Sequence, residues 1–167
     1  MNVVIVGCGR VGGFLAGLLD AEGHHVSVVD IASESPTRAE RAWFQHLPPS
    51  FKGETILGDG TNLEVLRQAG VEKGDALLAL TEGDNRNLMA AQIAQKIFGV
   101  RRVIAKVNDP VRAQIYRQQG IDTFSRTTIL GTLLFAMLME DPEVGEVLIK
   151  KSLAHEADMT HEPAQAR

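Results

Sequence analysis

The chain has 167 residues, 44% hydrophobic and 23% charged, the balance of an ordinary globular protein with enough apolar mass for one buried core. A formal net charge of -4 gives no basic footprint, which argues against nucleic acid or an anionic membrane surface as a direct partner. The single cysteine, Cys8, excludes an internal disulfide framework and any multi-cysteine metal site, and it fits a reducing compartment, so a cytoplasmic location is expected. No basic leader precedes the first apolar run, and no run approaches the ~20 residues of a spanning helix, so an unexported chain is expected.

Residues 2–6 are a β-branched run without alternation, the pattern of a parallel strand buried on both faces. Glycines follow at once. Residues 10–22 carry Val11, Phe14, Leu15, Leu18 and Leu19 at helical spacing, and Gly23 stops them before the apolar run 26–29. That is a βαβ unit. The alternation continues with strands over 55–57, 76–80, 103–107 and 121–124 and helices over 62–69, 85–98 and 110–118. The expected fold is α/β: a Rossmann-like doubly wound sheet of six parallel strands in the order 3-2-1-4-5-6, covered by helices on both faces.

Two segments fall outside this repeat. Residues 32–52, with Ser33, Ser35, Pro36 and Pro48-Pro49, are long for a connection and predict a short exposed helix or a mobile loop. Residues 127–139 predict a markedly apolar helix carrying Ile129, Leu130, Leu133, Leu134, Met137 and Leu138. It either packs back on the sheet or forms an interface. Residues 141–167 read as a polar tail, frayed from 150 onward.

Gly7-Cys8-Gly9-Arg10-Val11-Gly12 follows a buried strand and opens a helix, the setting in which this glycine spacing holds phosphates. Gly7 permits a tight turn, Gly9 lets the backbone approach a pyrophosphate, and Gly12 lets helix and strand pack closely. The helix N-terminus adds amide donors. A turn that serves packing alone is the competing reading. Asp30 ends the second strand, 23 positions after Gly7 and close to the ~20 expected for an acid that binds ribose hydroxyls. A carboxylate there repels a 2′-phosphate, which favours NAD, ATP, ADP or AMP over NADP; the bland reading is a solvated turn aspartate.

Gly58-Asp59-Gly60-Thr61 and Leu80-Thr81-Glu82-Gly83-Asp84-Asn85 follow the third and fourth strands, on the rim where open α/β sheets bind ligands. Asp59 suits an adenine amino group and Thr81 a ribose or phosphate, but both equally suit helix N-caps. Cys8 reads as filling a small backbone slot, since no histidine is placed to activate it. His24 and His25 precede the second strand at the opposite edge, His46 lies in the 32–52 segment, and His155 and His161 lie in the tail. No catalytic or metal residue is assigned.

Taken in order, residues 3–12, Asp30, Gly58-Asp59-Gly60-Thr61, Ala79-Leu80-Thr81 with Asp84-Asn85 and Asn87-Leu88, and Ala105-Lys106-Val107-Asn108-Asp109-Pro110 resemble the TrkA N-terminal family. These RCK or KTN domains are cytosolic nucleotide-binding regulators of potassium transporters and channels. The resemblance covers residues 1 to about 138. It implies a non-enzymatic domain over 1–140 that binds ATP, ADP, NAD, NADH or AMP and passes ligand-dependent movement to a membrane-embedded potassium transporter or channel. By resemblance, Arg10 meets the terminal phosphates, Asp30 the ribose with Ile31 beside it, Asp59 the adenine end, and Thr81 to Asn85 the ribose-phosphate face. Lys106 is assigned to the phosphates or to a neighbouring subunit. A solvated first-turn side chain is the alternative for Arg10, because a cation gains nothing from a helix N-terminus without an anion.

Family members pair through the helix after the sixth strand and often form larger rings, so a homodimer or ring through 127–139 is expected, peripheral at the inner membrane face through its partner. Two departures stand out. The 32–52 stretch is longer than the family's usual link, and the smaller C-terminal ligand-binding domain of many relatives is missing, so any second effector site is expected elsewhere. Two rival functions are an NAD-dependent oxidoreductase or its detached cofactor domain, and a stand-alone nucleotide sensor or oligomerisation module. The first lacks a substrate domain and an acid–base residue on the rim.

Overall fold

The computed structural model describes residues 1–31 and 44–139. The tail expected over 141–167 and the first part of the 32–52 segment lie outside the described residues. The chain divides into two compact units, residues 1–125 and residues 126 onward.

In the first unit, β1 (Asn2–Val6), β2 (His25–Asp30), β3 (Glu54–Leu57), β4 (Ala76–Ala79), β5 (Arg102–Lys106) and β6 (Asp122–Phe124) form one sheet in the order β3-β2-β1-β4-β5-β6. All five pairings are parallel, the arrangement that the strand–helix alternation predicts. The helices are α1 (Arg10–Ala21), α2 (Leu63–Gln68), α3 (Asp84–Gln92) and α4 (Pro110–Gln118).

β1 feeds two cores because successive side chains point to opposite faces. Val4 and Val6 join Leu66 of α2, Leu88 of α3 and Ala113 of α4 in one cluster. Val3 and Ile5 join Val28 and Ala16 of α1 in the other. The buried stripe of α1 is Gly12, Gly13, Ala16 and Gly17, so this helix lies close to its neighbours. A Cβ on Gly13 would stand 2.5 Å from the His46 carbonyl oxygen. Phe44, Leu47 and Phe51 pack against the same core, so the described end of the 32–52 segment is a packed element rather than the exposed helix or loop expected. Its aromatic residues, not its prolines, decide its place.

The helix predicted over 85–98 changes its ladder part-way. After Gln92 it widens into a π turn over Ile93–Ile97, with Phe98 N donating to the Ile93 carbonyl at 3.3 Å, and Gly99 stops it at φ +70°. In the second unit, α5 (Arg126–Leu138) agrees within one residue with the predicted apolar helix. It buries no residue, and Ile129, Leu130, Leu134, Phe135 and Leu138 are each more than half exposed. Among the described residues, no helix is long and apolar enough to cross a membrane.

Candidate functional site

The sheet register brings the carboxyl ends of the strands level. Val6 pairs with Val29 and Ala79, Ala79 with Ala105, and Asp30 with Leu57, so the loops after β1 to β5 share one rim. Backbone bonds extend this alignment past the strands: Gly7 N donates to Val29 O at 2.7 Å, Leu80 N to Val6 O at 2.7 Å and Gly58 N to Asp30 O at 2.8 Å.

The three glycines of the first loop differ physically. Gly7 holds φ +109°, and a Cβ there would lie 2.9 Å from the Thr81 amide nitrogen. A Cβ on Gly12 would lie 1.9 Å from the Gly7 carbonyl oxygen, so α1 leaves the turn at a distance only glycine permits. Gly9 has an ordinary extended backbone, φ −73° and ψ −172°, and a Cβ there meets no atom of the described residues within 4 Å. Neither conformation nor internal packing asks for glycine at position 9. The α1 amides beside it are therefore open to approach from the described residues' outer side, the geometry in which a helix start receives an anion.

Asp30 ties this turn to β2. Its Oδ2 accepts from Cys8 N and its Oδ1 from Ile31 N, each at 2.7 Å, and each oxygen keeps acceptor capacity for a ligand hydroxyl. Cys8 is buried, and burial, helped by the Asp30 charge, pushes its thiol up to about 12. The thiol is therefore neutral and fills space. Arg10 opens α1, is exposed, and makes no hydrogen bond or ion pair among the described residues. Val11 is 45% exposed beside it.

The loop after β3 folds on Asp59, whose Oδ1 accepts from Thr61 N at 2.9 Å and Thr61 Oγ1 at 2.8 Å. The Thr61 amide bond holds the Asp59 carboxyl below its usual range; the Thr61 hydroxyl and the Arg86 charge add to this against the opposing effect of burial. Asp59 Oδ2 takes no hydrogen bond among the described residues. Gly58 and Gly60 make room for Val65 and Val6, their Cβ positions lying 2.7 and 2.2 Å from those side chains. Asn62, not Asp59, caps α2, and Gly83 opens α3 without a side-chain cap. Neither Asp59 nor Thr81 is a helix cap.

Thr81 belongs to a buried clamp that the motif reading did not assign. Asn87 is fully buried; its Oδ1 accepts from Thr81 N and Thr81 Oγ1 at 2.8 and 2.7 Å, and its Nδ2 donates to Thr81 O and Lys106 O at 2.9 Å each. A polar residue beside Leu88, Ala90 and Ala91 on an inward helix face was the available signal. Leu80 is buried in the α1-side core. Lys106 is 4% exposed, with Nζ 3.2 Å from Oε2 of the exposed Glu82. Asn85 accepts from Arg112 of α4, which turns it to the α3–α4 side of the rim.

Asp30, Ile31, Asp59, Gly60 and Thr81 line one small cleft on the rim, together with Arg86. A larger cleft, about 590 Å³, lies at the opposite edge, where His24, His25, Lys52 and Lys73 contribute. The rim, not the larger cleft, combines amide donors at a helix start with carboxylate acceptors, the pairing a nucleotide needs.

Comparison with known proteins identifies the family and the fold. The family model for the TrkA-N domain matches residues 3–126. The Trk system potassium uptake protein TrkA of Streptomyces coelicolor is 43% identical over 123 residues, which cover 74% of this chain and 52% of the relative. The chain thus spans about half the length of that relative. A Shewanella denitrificans Kef CTD in AMP-bound form has the same fold, with a TM-score of 0.62 at 22% identity over 92% of each chain. The GsuK RCK domain is similar at a TM-score of 0.64 and 22% identity, over 85% of this chain and 29% of that one.

Proposed function

Because the chain belongs to the TrkA-N domain family, we propose that it is a non-enzymatic, nucleotide-responsive regulatory domain of a membrane-embedded potassium transporter or channel, acting at the cytoplasmic face. The observation that carries this reading is the rim itself: a glycine turn whose central Gly9 no contact among the described residues requires, on the same rim as two carboxylates with open acceptor atoms. Gly7 to Gly12 would hold the phosphates, Asp30 the ribose hydroxyls, and Asp59 Oδ2 the adenine amino group. Asp30 favours an unphosphorylated ribose, hence ATP, ADP, AMP, NAD or NADH over NADP. The TrkA relative and the AMP-bound Kef CTD support both the potassium connection and an adenine nucleotide.

As a signal, the nucleotide supplies charge and contacts that differ between two states of the domain; a ligand that binds both states equally shifts nothing. Arg10 is the residue placed to read phosphate number. A lone cation at a helix N-terminus is disfavoured until an anion joins it. The exposed apolar residues of α5 are read as the surface through which copies pair and pass on the change. Calorimetry tests the switch: Arg10→Ala should weaken ATP more than ADP, by about 10- to 150-fold from the ~1.5–3 kcal/mol of a charged contact. Equal, unchanged affinities for both would refute this role.

A further inference from the structure

The cleft beyond the glycine turn contains a cation that the motifs did not single out. Arg86 lies in the first turn of α3, is exposed, and shares the cleft with Asp30, Ile31, Asp59, Gly60 and Thr81. Its guanidinium makes no hydrogen bond or ion pair among the described residues. The lining draws on the loops after β2, β3 and β4 and on Val6, but on none of Gly7 to Gly12. The cleft adjoins the turn through Asp30, whose carboxylate accepts from Cys8 N, and extends from there to Asp59 and Arg86, where the base of a bound nucleotide lies if its phosphates lie on the turn.

The cleft's chemistry suits a flat, aminated ring. Asp59 offers Oδ2 as an acceptor, and Ile31 is an apolar side chain 39% exposed. An exposed guanidinium stacks on aromatic faces through charge and planarity, a geometry that an ammonium does not reproduce. We propose that Arg86 is the base-contacting residue of this site, its guanidinium over the face of the adenine ring while Asp59 accepts from the exocyclic amino group. The assignment rests on the nucleotide reading above and adds to it a residue outside the glycine motif. It also gives Arg86 and Arg10 separate tasks, base and phosphate, at the two ends of one ligand.

Isothermal titration of AMP, ADP and ribose 5-phosphate into wild type, Arg86→Ala and Arg86→Lys tests the assignment. Arg86→Ala should weaken AMP and ADP by the same factor, between about 2- and 30-fold, and leave ribose 5-phosphate unchanged. Arg86→Lys should fall between. Melting curves should show both variants folded as wild type, since the side chain is exposed and unbonded. A larger loss for ADP than for AMP, or an equal loss for ribose 5-phosphate, would make Arg86 a phosphate contact and overturn the proposal. So would variants that match wild type on every ligand. If wild type itself binds neither AMP nor ADP, the nucleotide reading fails as a whole, a result distinct from the failure of Arg86 alone.

Discussion

Gly9 and Gly12 occupy one motif yet answer to different constraints. Gly12→Ala would force a methyl group to 1.9 Å from the Gly7 carbonyl oxygen, so a loss of about 3 kcal/mol or more in urea denaturation is expected. Gly9→Ala meets no atom of the described residues, so its stability should stay within about 1 kcal/mol of wild type, while ADP affinity falls roughly tenfold or more through overpacking of the phosphate cradle. Cys8 yields a pH prediction. Its folded thiol is raised from 9.0 to about 12, so the buried neutral thiol contributes fully below pH 9 and loses that contribution as pH rises toward 12. Calorimetric melting at pH 8 and pH 10 should therefore show a smaller alkaline loss in Cys8→Ala than in wild type. Glycine spacing and the acid at the strand end were legible in the sequence because they follow from backbone geometry and a fixed βαβ length. Arg86 was not, because a surface arginine in a helix's first turn has no local signature until the fold brings Asp59 near it.

At the scale of elements, the clamp made by Asn87 is what holds the β4 loop to the end of β5. Asn87→Leu removes four hydrogen bonds and leaves Thr81 N, Thr81 O and Lys106 O to find new partners. A destabilisation of about 2–4 kcal/mol is expected in urea denaturation. Sequence periodicity located every strand and helix of the sheet to within a few residues, because parallel strands and their crossover helices carry distinct periods. It missed the π turn at Ile93–Ile97 and the packing of Phe44, Leu47 and Phe51, since both depend on contacts distant in sequence. For α5 the sequence left two options, packing back or an interface, and the proposed function takes the interface. Sedimentation or light scattering should find an oligomer at micromolar concentration, and Leu134→Asp with Phe135→Asp should yield a folded monomer. A monomeric wild type would remove α5 from the proposed mechanism.

For the whole molecule, the sheet serves to bring five loops to one level, and the regulatory reading depends on a nucleotide closing across them. Family membership accounts for the fold and the glycine turn; the identity of the ligand depends on Asp30, Asp59 and the cleft between them. The most direct test is a thermal-shift panel of AMP, ADP, ATP, NAD, NADH and NADP. A ligand at 100 times its dissociation constant stabilises the fold by about 2.7 kcal/mol, which raises the melting temperature by roughly 10 °C if the sheet unit, residues 1–125, unfolds cooperatively. At least one nucleotide with a free 2′-hydroxyl should produce that shift, and NADP should not. A flat response to all six, or NADP as the strongest ligand, would contradict the account.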